Sequence, residues 1–396
     1  MPLSPDFSAM PSVRINPKGA NRLASGHPWV FSSDVLDRGG ANPGDCVAVI
    51  DTKGSALGTA HYSSTSQICL RLLSKRVEPI DRAFLLRRIA GAETYRKRVV
   101  TGSGAYRLVH GEGDQLPGLV IDRYGDFFTI QTLDQGMDRL KTEIVSCLEE
   151  LFSPPGIVER NDAGVRKHES LPLLTGVLAG EVPSTVPIRM NGLDFGANLL
   201  HGQKTGIFLD QRENYLAAAR YAHGQALDCF TSTGGFALHM AARCESVEAV
   251  DSSAAALETA RSNAEANHAA NLDFREADVF EVLAAYSSAR RRFSTVVLDP
   301  PAFAKSRQHL DAAVRAYKEI NLRALRLLPP AGILVTCSCS HHVSEAMLLE
   351  IVASAALDTG RTLRVVDRRT QSHDHPILLT VPETHYLKCL ILEVVA

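Results

Sequence analysis

The sequence predicts an α/β protein whose C-terminal Rossmann-like domain is a doubly wound, mostly parallel sheet. Ahead of it stand an N-terminal β-barrel domain and a small central α+β domain. Three observations carry this expectation. From Gly224 onward the chain repeats strand, turn and helix, the rhythm of parallel strands joined by crossovers. Between Val13 and Val77 short alternating apolar runs are separated by Gly and Pro, the punctuation of a small barrel or sandwich. With 396 residues, 45% apolar and 22% charged, the chain has enough apolar surface for two or three domains, which excludes disorder and a disulfide scaffold.

Taken in order, an irregular first ten residues lead to VRI, HPWVF, DCVAVID, ALGTAHY and ICLRLL, separated at Pro17-Lys18-Gly19, Gly39-Gly40, Pro43-Gly44 and Gly54. These define a domain over 11–78. A charged helix follows in IDRAFLLRRIAGAETYRKRVV, with Arg87, Arg88, Arg96, Lys97 and Arg98 as candidate phosphate contacts or a solvated face. Two strand-like runs in YRLVHGEGDQLPGLVIDRYGDFFTIQTL, the helix MDRLKTEIVSCLEELF and the strand IVERND complete a central domain over 79–187, ending at Pro183 and Pro187. In 188–396, QALDCF, SVEAVD, NLDFREAD, FSTVVLD and GILVTCS read as strands. AAALETARSNAEANH, HLDAAVRAYKEINLRALRLL and SEAMLLEIVASAAL read as helices.

Charge is unevenly placed: residues 1–110 hold 15 Lys and Arg against 8 Asp and Glu, and the rest 27 against 36. A basic front joined to an acidic rear reads as a handle for a polyanion attached to a unit with another task. No apolar stretch reaches the roughly 18 residues of a spanning helix, and the N-terminus lacks the pattern of a signal peptide. No membrane partner is expected. The eight cysteines are scattered, with only Cys337 and Cys339 close together, so a cytoplasmic protein with reduced thiols is expected.

In an open parallel sheet, ligands bind beyond the carboxyl ends of the strands, so the residues there are read as one set. After the first strand stands Asp228-Cys229-Phe230-Thr231-Ser232-Thr233-Gly234-Gly235, whose glycines let the backbone pass close to a ligand. After the second, Asp251 with Ser252 beside it is placed to accept ribose hydroxyls. After the third, Asp278 is placed to accept from an adenine amine, with Val279 and Phe280 as the apolar neighbours that sandwich the ring. Helix capping is the alternative for either carboxylate. GxGxxG and GxxxxGK[ST] are both absent, which leaves a nucleoside ligand with little phosphate and fits S-adenosyl-L-methionine. The fourth strand ends in VLDPPAFAKS. Asp299 is at the strand end, Pro300 and Pro301 stiffen the exit, and Phe303 follows as a surface for a flat base. The fifth ends in TCSCSHH, where Cys337 and Cys339, two apart on a strand, face one way, both to the cleft or both to the core. Their spacing with His341 and His342 matches no structural zinc pattern, and no metal is expected.

These motifs, with QKTGIFLDQREN at 203–214 and DHPILLTVPETHYLK at 374–388, resemble those of the RlmI-like large-subunit (23S) ribosomal RNA cytosine-C5 methyltransferases over nearly the whole chain. The front segment, with Gly26-His27-Pro28-Trp29-Val30-Phe31 and Gly44-Asp45, resembles that family's PUA RNA-binding domain. By position, the resemblance implies that Asp228, Phe230, Gly234 and Gly235 line the methionine end of the cofactor, that Asp251 holds the ribose and that Asp278 holds the adenine. Lys204, Thr205, Phe208, Asp210, Gln211 and Arg212 would close over it. Cys339 falls at the nucleophile position, while Cys337 falls where a related group keeps its T-C-S cysteine, so the choice between them stays open. The DPP motif here has no cysteine, which speaks against release of product by a second thiol.

The implied reaction uses a thiolate that adds to cytosine C6 and makes C5 nucleophilic, with Asp299 on the N3/N4 edge and an unassigned base, His341 or water, taking the C5 proton. The target base must leave its stack, so a separate RNA-gripping domain has a use. Two rivals stand beside this reading. One is N-methylation of a guanine in ribosomal RNA, weakened by Ala302 between the prolines and Phe303. The other is a non-catalytic RNA-binding ribosome-assembly factor. Ribosomal RNA or the large-subunit particle is the expected partner, and self-association as a homodimer is left open.

Overall fold

In the computed structural model, which describes residues 10–304 and 307–396, the strand Ser12–Ile15 runs directly into a helix, Pro17–Ala24. Pro17-Lys18-Gly19 is therefore a helix start and not the turn that its composition suggests. Asn16 caps it by accepting from the Gly19 amide, and Pro17 occupies the first turn, where a missing N–H costs nothing. The expected irregular N-terminus falls largely on residues outside the described ones.

The chain divides into two units. One takes the chain up to Ile188 together with Ala197–Ile207 and His373–Thr384, and the other takes Arg189–Gly196, Phe208–Ser372 and His385–Ala396. The first unit contains a six-stranded sheet in the order Trp29–Phe31, Ile68–Ser74, Ala56–Tyr62, Cys46–Ile50, Ser12–Ile15, Val35–Asp37. Its core gathers Val13, Val30, Val47, Val49, Tyr62 and Leu70. A second, five-stranded sheet runs Leu174–Gly180, Gly156–Asn161, Phe127–Thr132, Leu119–Tyr124, Ala105–His110. The stretch read as two strand-like runs thus holds three. The helix Arg82–Val99, capped by Asp81, packs Phe84, Leu85 and Ile89 into this sheet's core.

A buried charge cluster lies in the same unit. His61 Nδ1 stands 3.5 Å from Asp134, and Arg71 bonds Glu169 at 2.8 Å. Burial alone would lower the His61 imidazole, but the Asp134 carboxylate outweighs it and holds the group up at about 9. Only glycine fits at 136, because a Cβ there would lie 2.1 Å from the His61 ring.

The second unit is built on a seven-stranded sheet in the order Leu272–Glu276, Ser246–Asp251, Gln225–Cys229, Thr295–Leu298, Ile333–Ser338, Lys388–Val394, Leu363–Arg369. The first five strands are parallel and Lys388–Val394 is antiparallel to both neighbours. All five expected strands are present. Thr295–Leu298 and Ile333–Ser338, buried along their whole length in the middle of the sheet, read as nearly continuous apolar runs, with Val296 and Leu334 fully buried. Strand order reverses between Gln225–Cys229 and Thr295–Leu298, which opens a crevice at their carboxyl ends. Elements missing from the sequence reading appear here, among them the helices Arg212–Tyr221 and Val279–Ser288 and the pair of C-terminal antiparallel strands. Among the described residues no helix is long and apolar enough to cross a membrane.

Candidate active site

The loop leaving Gln225–Cys229 is bent by three residues with left-handed backbone, Phe230 (φ 64°), Ser232 (φ 52°) and Gly234 (φ 85°). Two of the three carry side chains, and such strain concentrates at ligand-binding turns. Asp228 organises the bend. Its buried Oδ2 accepts from the Thr231 hydroxyl at 2.6 Å and from the Ala237 amide at 3.0 Å. Its Oδ1 is also buried and has no hydrogen-bond partner among the described residues. Burial, with Asp299 and Asp251 as neighbouring negative charges, pushes this carboxyl up to about 7.

Asp251 is held on both oxygens by backbone amides, from Ser232 at 2.9 Å and Ser253 at 2.9 Å, and so is fixed against the Phe230–Gly234 bend. The following helix, Ala254–Ala266, is capped by Ser253, leaving Asp251 free of that role. Ser252 is exposed, and the Thr233 carbonyl accepts from Asn263 at 3.0 Å. Asp278 does cap a helix: Oδ1 of the exposed carboxylate accepts from Phe280 at 2.7 Å and Glu281 at 3.2 Å. Val279 is 3% exposed and belongs to the core, so the apolar side chain with surface beside Asp278 is Phe280.

The segment expected to close over the cofactor is shared between the units. Lys204 is exposed, and Thr205 is buried in the first unit, where its hydroxyl meets Asp122 and, at 3.0 Å, Tyr124. That hydroxyl is engaged within its own unit rather than turned outward to a ligand. Phe208, Asp210, Gln211 and Arg212 lie in the second unit. Asp210 accepts from the Tyr386 hydroxyl at 2.8 Å, the Phe208 carbonyl meets the Tyr215 hydroxyl at 3.4 Å, and buried Arg212 reaches Glu213 at 3.2 Å. Gln211 spans to the fourth strand, donating from Nε2 to Asp299 Oδ1 at 2.9 Å.

Beyond Asp299, Pro300 is buried, Pro301 exposed and Phe303 half-buried. Phe303 packs on Tyr317 and Phe280 with ring centroids 4.8 and 5.9 Å apart. Lys305 and Ser306 of the same motif lie outside the described residues. On the fifth strand the two cysteines part company. Cys337 is fully buried opposite Cys389, and burial pushes its thiol far up. The strand ends at Ser338, so the alternation of faces ends with it, and Cys339 is half-buried in the turn beyond. The premise that both face one way therefore fails. Tyr317 braces that turn through the hydroxyls of Ser338 at 3.0 Å and Ser340 at 3.2 Å.

The structure also removes one candidate cation. Arg96 is fully buried in the first unit, clamped on both Asp114 oxygens and bonded to the carbonyls of Arg107 at 2.7 Å and Asp374 at 2.9 Å, so it does not face a phosphate. Arg88 is held by Gln115 and the Leu73 carbonyl, while Lys97 and Arg98 are exposed. Sequence reasoning passed over Tyr317 and Lys388. Both are polar side chains on elements otherwise committed to the core, and Tyr317, seven residues into the Leu310–Leu327 helix, gave no local signal.

Comparison with known proteins gives two family matches: a PUA-like domain over residues 13–75 and an S-adenosylmethionine-dependent methyltransferase over residues 143–392. The chain is similar to ribosomal RNA large subunit methyltransferase I of Shewanella amazonensis, 41% identical over 391 residues, covering 96% of this chain and 99% of that one. It is 40% identical to the protein of the same name from Klebsiella pneumoniae, covering 91% and 93%. Among solved structures, a methyltransferase complexed with SAH superposes with a TM-score of 0.84 at 21% identity, covering 97% of this chain and all of that one. That likeness bears on the fold.

Proposed function

The chain belongs to the ribosomal RNA large subunit methyltransferase I family, which is S-adenosylmethionine-dependent, and from that premise we propose that it methylates C5 of a cytosine in large-subunit ribosomal RNA through a covalent adduct of Cys339. The observation that carries the proposal is the pairing of a half-buried thiol just past the Ile333–Ser338 strand with a carboxylate, Asp299, at the end of the adjacent strand. A cytoplasmic site of action goes with that substrate, and the PUA-like front supplies an RNA grip.

The residues present fit the cofactor. Asp251 is fixed on both oxygens yet keeps lone pairs for two hydroxyls, Asp278 is exposed, and the buried Asp228 Oδ1 lacks a partner among the described residues. When bound, S-adenosylmethionine supplies an electrophilic methyl group. Phe280 is the apolar neighbour for the adenine, and Phe230, Gly234 and Gly235 shape the methionine end.

Cys339 performs the addition. Its thiolate bonds to C6, and the C5–C6 π pair moves to C5 and the N3 edge, where Asp299 holds the ring. Asp299 is itself aimed by the Gln211 amide. After C5 is substituted, loss of the C5 proton to a base restores the C5–C6 double bond and expels the thiolate. Pro300, Pro301 and Phe303 form the surface against which the base is held, Phe303 being backed by Tyr317. Cys337, buried against Cys389, has a structural part in this reading.

The test is incubation of the purified protein with labelled S-adenosylmethionine and unmodified large-subunit RNA, followed by nucleoside mass spectrometry. The expected product is 5-methylcytidine. A methylguanosine would move Asp299 to amine recognition and remove the role given to Cys339. No product on free RNA or on the assembled particle would favour a binding factor.

A further inference from the structure

Lys388 opens the strand that pairs antiparallel with the cysteine-bearing one, in register opposite Ser338. It is 3% exposed, an unusual site for an ammonium, and its Nζ donates to the carbonyl of Ser340 at 2.7 Å and that of Tyr386 at 2.8 Å. Ser340 immediately follows Cys339, so the ammonium is pinned against the turn that presents the thiol. A buried cation is costly unless a counter-charge compensates it. Among the described residues no carboxylate lies within ion-pair distance of Lys388, and Glu345, at the start of the following helix, is taken by Arg368. Two of the three N–H donors are committed to carbonyls, and the third has no acceptor among the described residues.

We propose that Lys388 is the counter-charge of the Cys339 thiolate, a positioning residue that acts through the sulfur rather than on the RNA. The proposal rests on the reading of Cys339 as the nucleophile and deepens it. Neutral carbonyl dipoles hold the ammonium in place without cancelling its charge, so its field acts on the half-buried sulfur beside it. Burial pushes the Lys388 ammonium down to about 8, and the charges of Cys339 and then Glu345 act against that shift, so it still carries its proton at pH 7. Other titratable groups around the turn include Tyr317, His341 and His342, Tyr386 with Asp210 bonded to it, and Arg368 with Glu345. Tyr317 is pushed up by burial, with Cys339 adding in the same direction, which places the two groups within electrostatic reach. The thiolate form of Cys339 is favoured while the Lys388 ammonium keeps its proton.

The experiment is the pH dependence of iodoacetamide alkylation at Cys339 in the full chain, read peptide by peptide by mass spectrometry. The wild-type midpoint is expected below the ordinary thiol value of about 8.5. In Lys388→Met it rises by about one unit, slowing alkylation at pH 7 about tenfold, and Lys388→Arg stays within about threefold of wild type. S-adenosylmethionine binding by calorimetry reports whether each variant is folded. A wild-type midpoint at or above the ordinary value overturns the proposal without any variant, as does an unchanged midpoint in a folded Lys388→Met. The readout needs no RNA, so a product other than 5-methylcytidine would sink the C5 reading separately from the measured coupling.

Discussion

The amide of Gln211 reaches across the second unit and donates 2.9 Å to Oδ1 of Asp299, eighty-eight residues away. The bond is kept in line from behind, since Asn214 donates to Gln211 Oε1 at 2.7 Å. Asp299 is therefore held by a two-step chain from the 209–221 segment. Replacing Gln211 with Leu removes this donor from the carboxylate and breaks the chain that runs back to Asn214. The expected result is a fall in kcat of about ten- to hundredfold, consistent with about 1.5–3 kcal/mol for a hydrogen bond to a charged group, with the cofactor Kd changed less than threefold. Steady-state kinetics and calorimetry separate the two.

The cysteines differ in burial, and their substitution separates them functionally. Cys339→Ala abolishes methyl transfer to RNA, by at least about a thousandfold, with little loss of stability. Cys337→Ala lowers the melting temperature, by about 1–2 kcal/mol of stability, and keeps activity within about tenfold. Equal loss of activity in both would overturn the assignment.

Asp251 is fixed before any ligand arrives, so its loss registers in affinity. Asp251→Ala weakens S-adenosylmethionine binding about ten- to hundredfold, while Ser252→Ala, at an exposed side chain, has an effect within about threefold. Titration calorimetry on both variants checks this.

His61 sets a pH dependence of stability. Its folded-state value of about 9 lies above the ordinary value of about 6.5, so the folded protein binds more protons than the unfolded chain between these limits. The stabilisation is complete below about pH 6.5 and is lost as pH rises through about 9. Melting temperature is expected to fall from pH 6.5 to 9.5. In His61→Gln the curve flattens, and an unaltered slope in that variant would refute the assignment.

Arg96, a phosphate candidate by its place in a basic helix, is expected to behave as a core residue. Arg96→Met takes the guanidinium away from the buried Asp114 carboxylate, which keeps the His110 amide as a donor, and from the Asp374 carbonyl, and destabilises by about 3–5 kcal/mol. The salt dependence of RNA binding, measured on the folded fraction, stays as in the wild type. A reduced salt slope would restore Arg96 to the RNA surface.

Interior parallel strands such as Thr295–Leu298 and Ile333–Ser338 were legible because burial on both faces writes them as apolar runs, and the candidate site residues were sought at the carboxyl ends of the strands, where such a sheet gathers ligands. What escaped depends on distant partners or on where an element stops. The helix Pro17–Ala24 was hidden because Pro17 serves equally as a breaker and as a first-turn residue. The Leu363–Arg369 strand lies on a sheet edge and is charged at Arg364, Asp367, Arg368 and Arg369, so it resembles a surface loop in composition. The burial of Arg96 is decided partly by Asp374, 278 residues away. The separation of Cys337 from Cys339 turns on a strand ending at Ser338, one residue short of the second thiol.

The strand order of the second unit has a consequence for biosynthesis. Lys388–Val394 lies between Ile333–Ser338 and Leu363–Arg369, so a strand translated after both of its neighbours fills an interior gap rather than extending an edge. While those residues are still inside the ribosome, the nascent sheet lacks the neighbour that backs Cys337 and the lysine that anchors Ser340. The loop that carries Cys339 therefore matures only after Lys388–Val394 has emerged, later than every motif upstream of it.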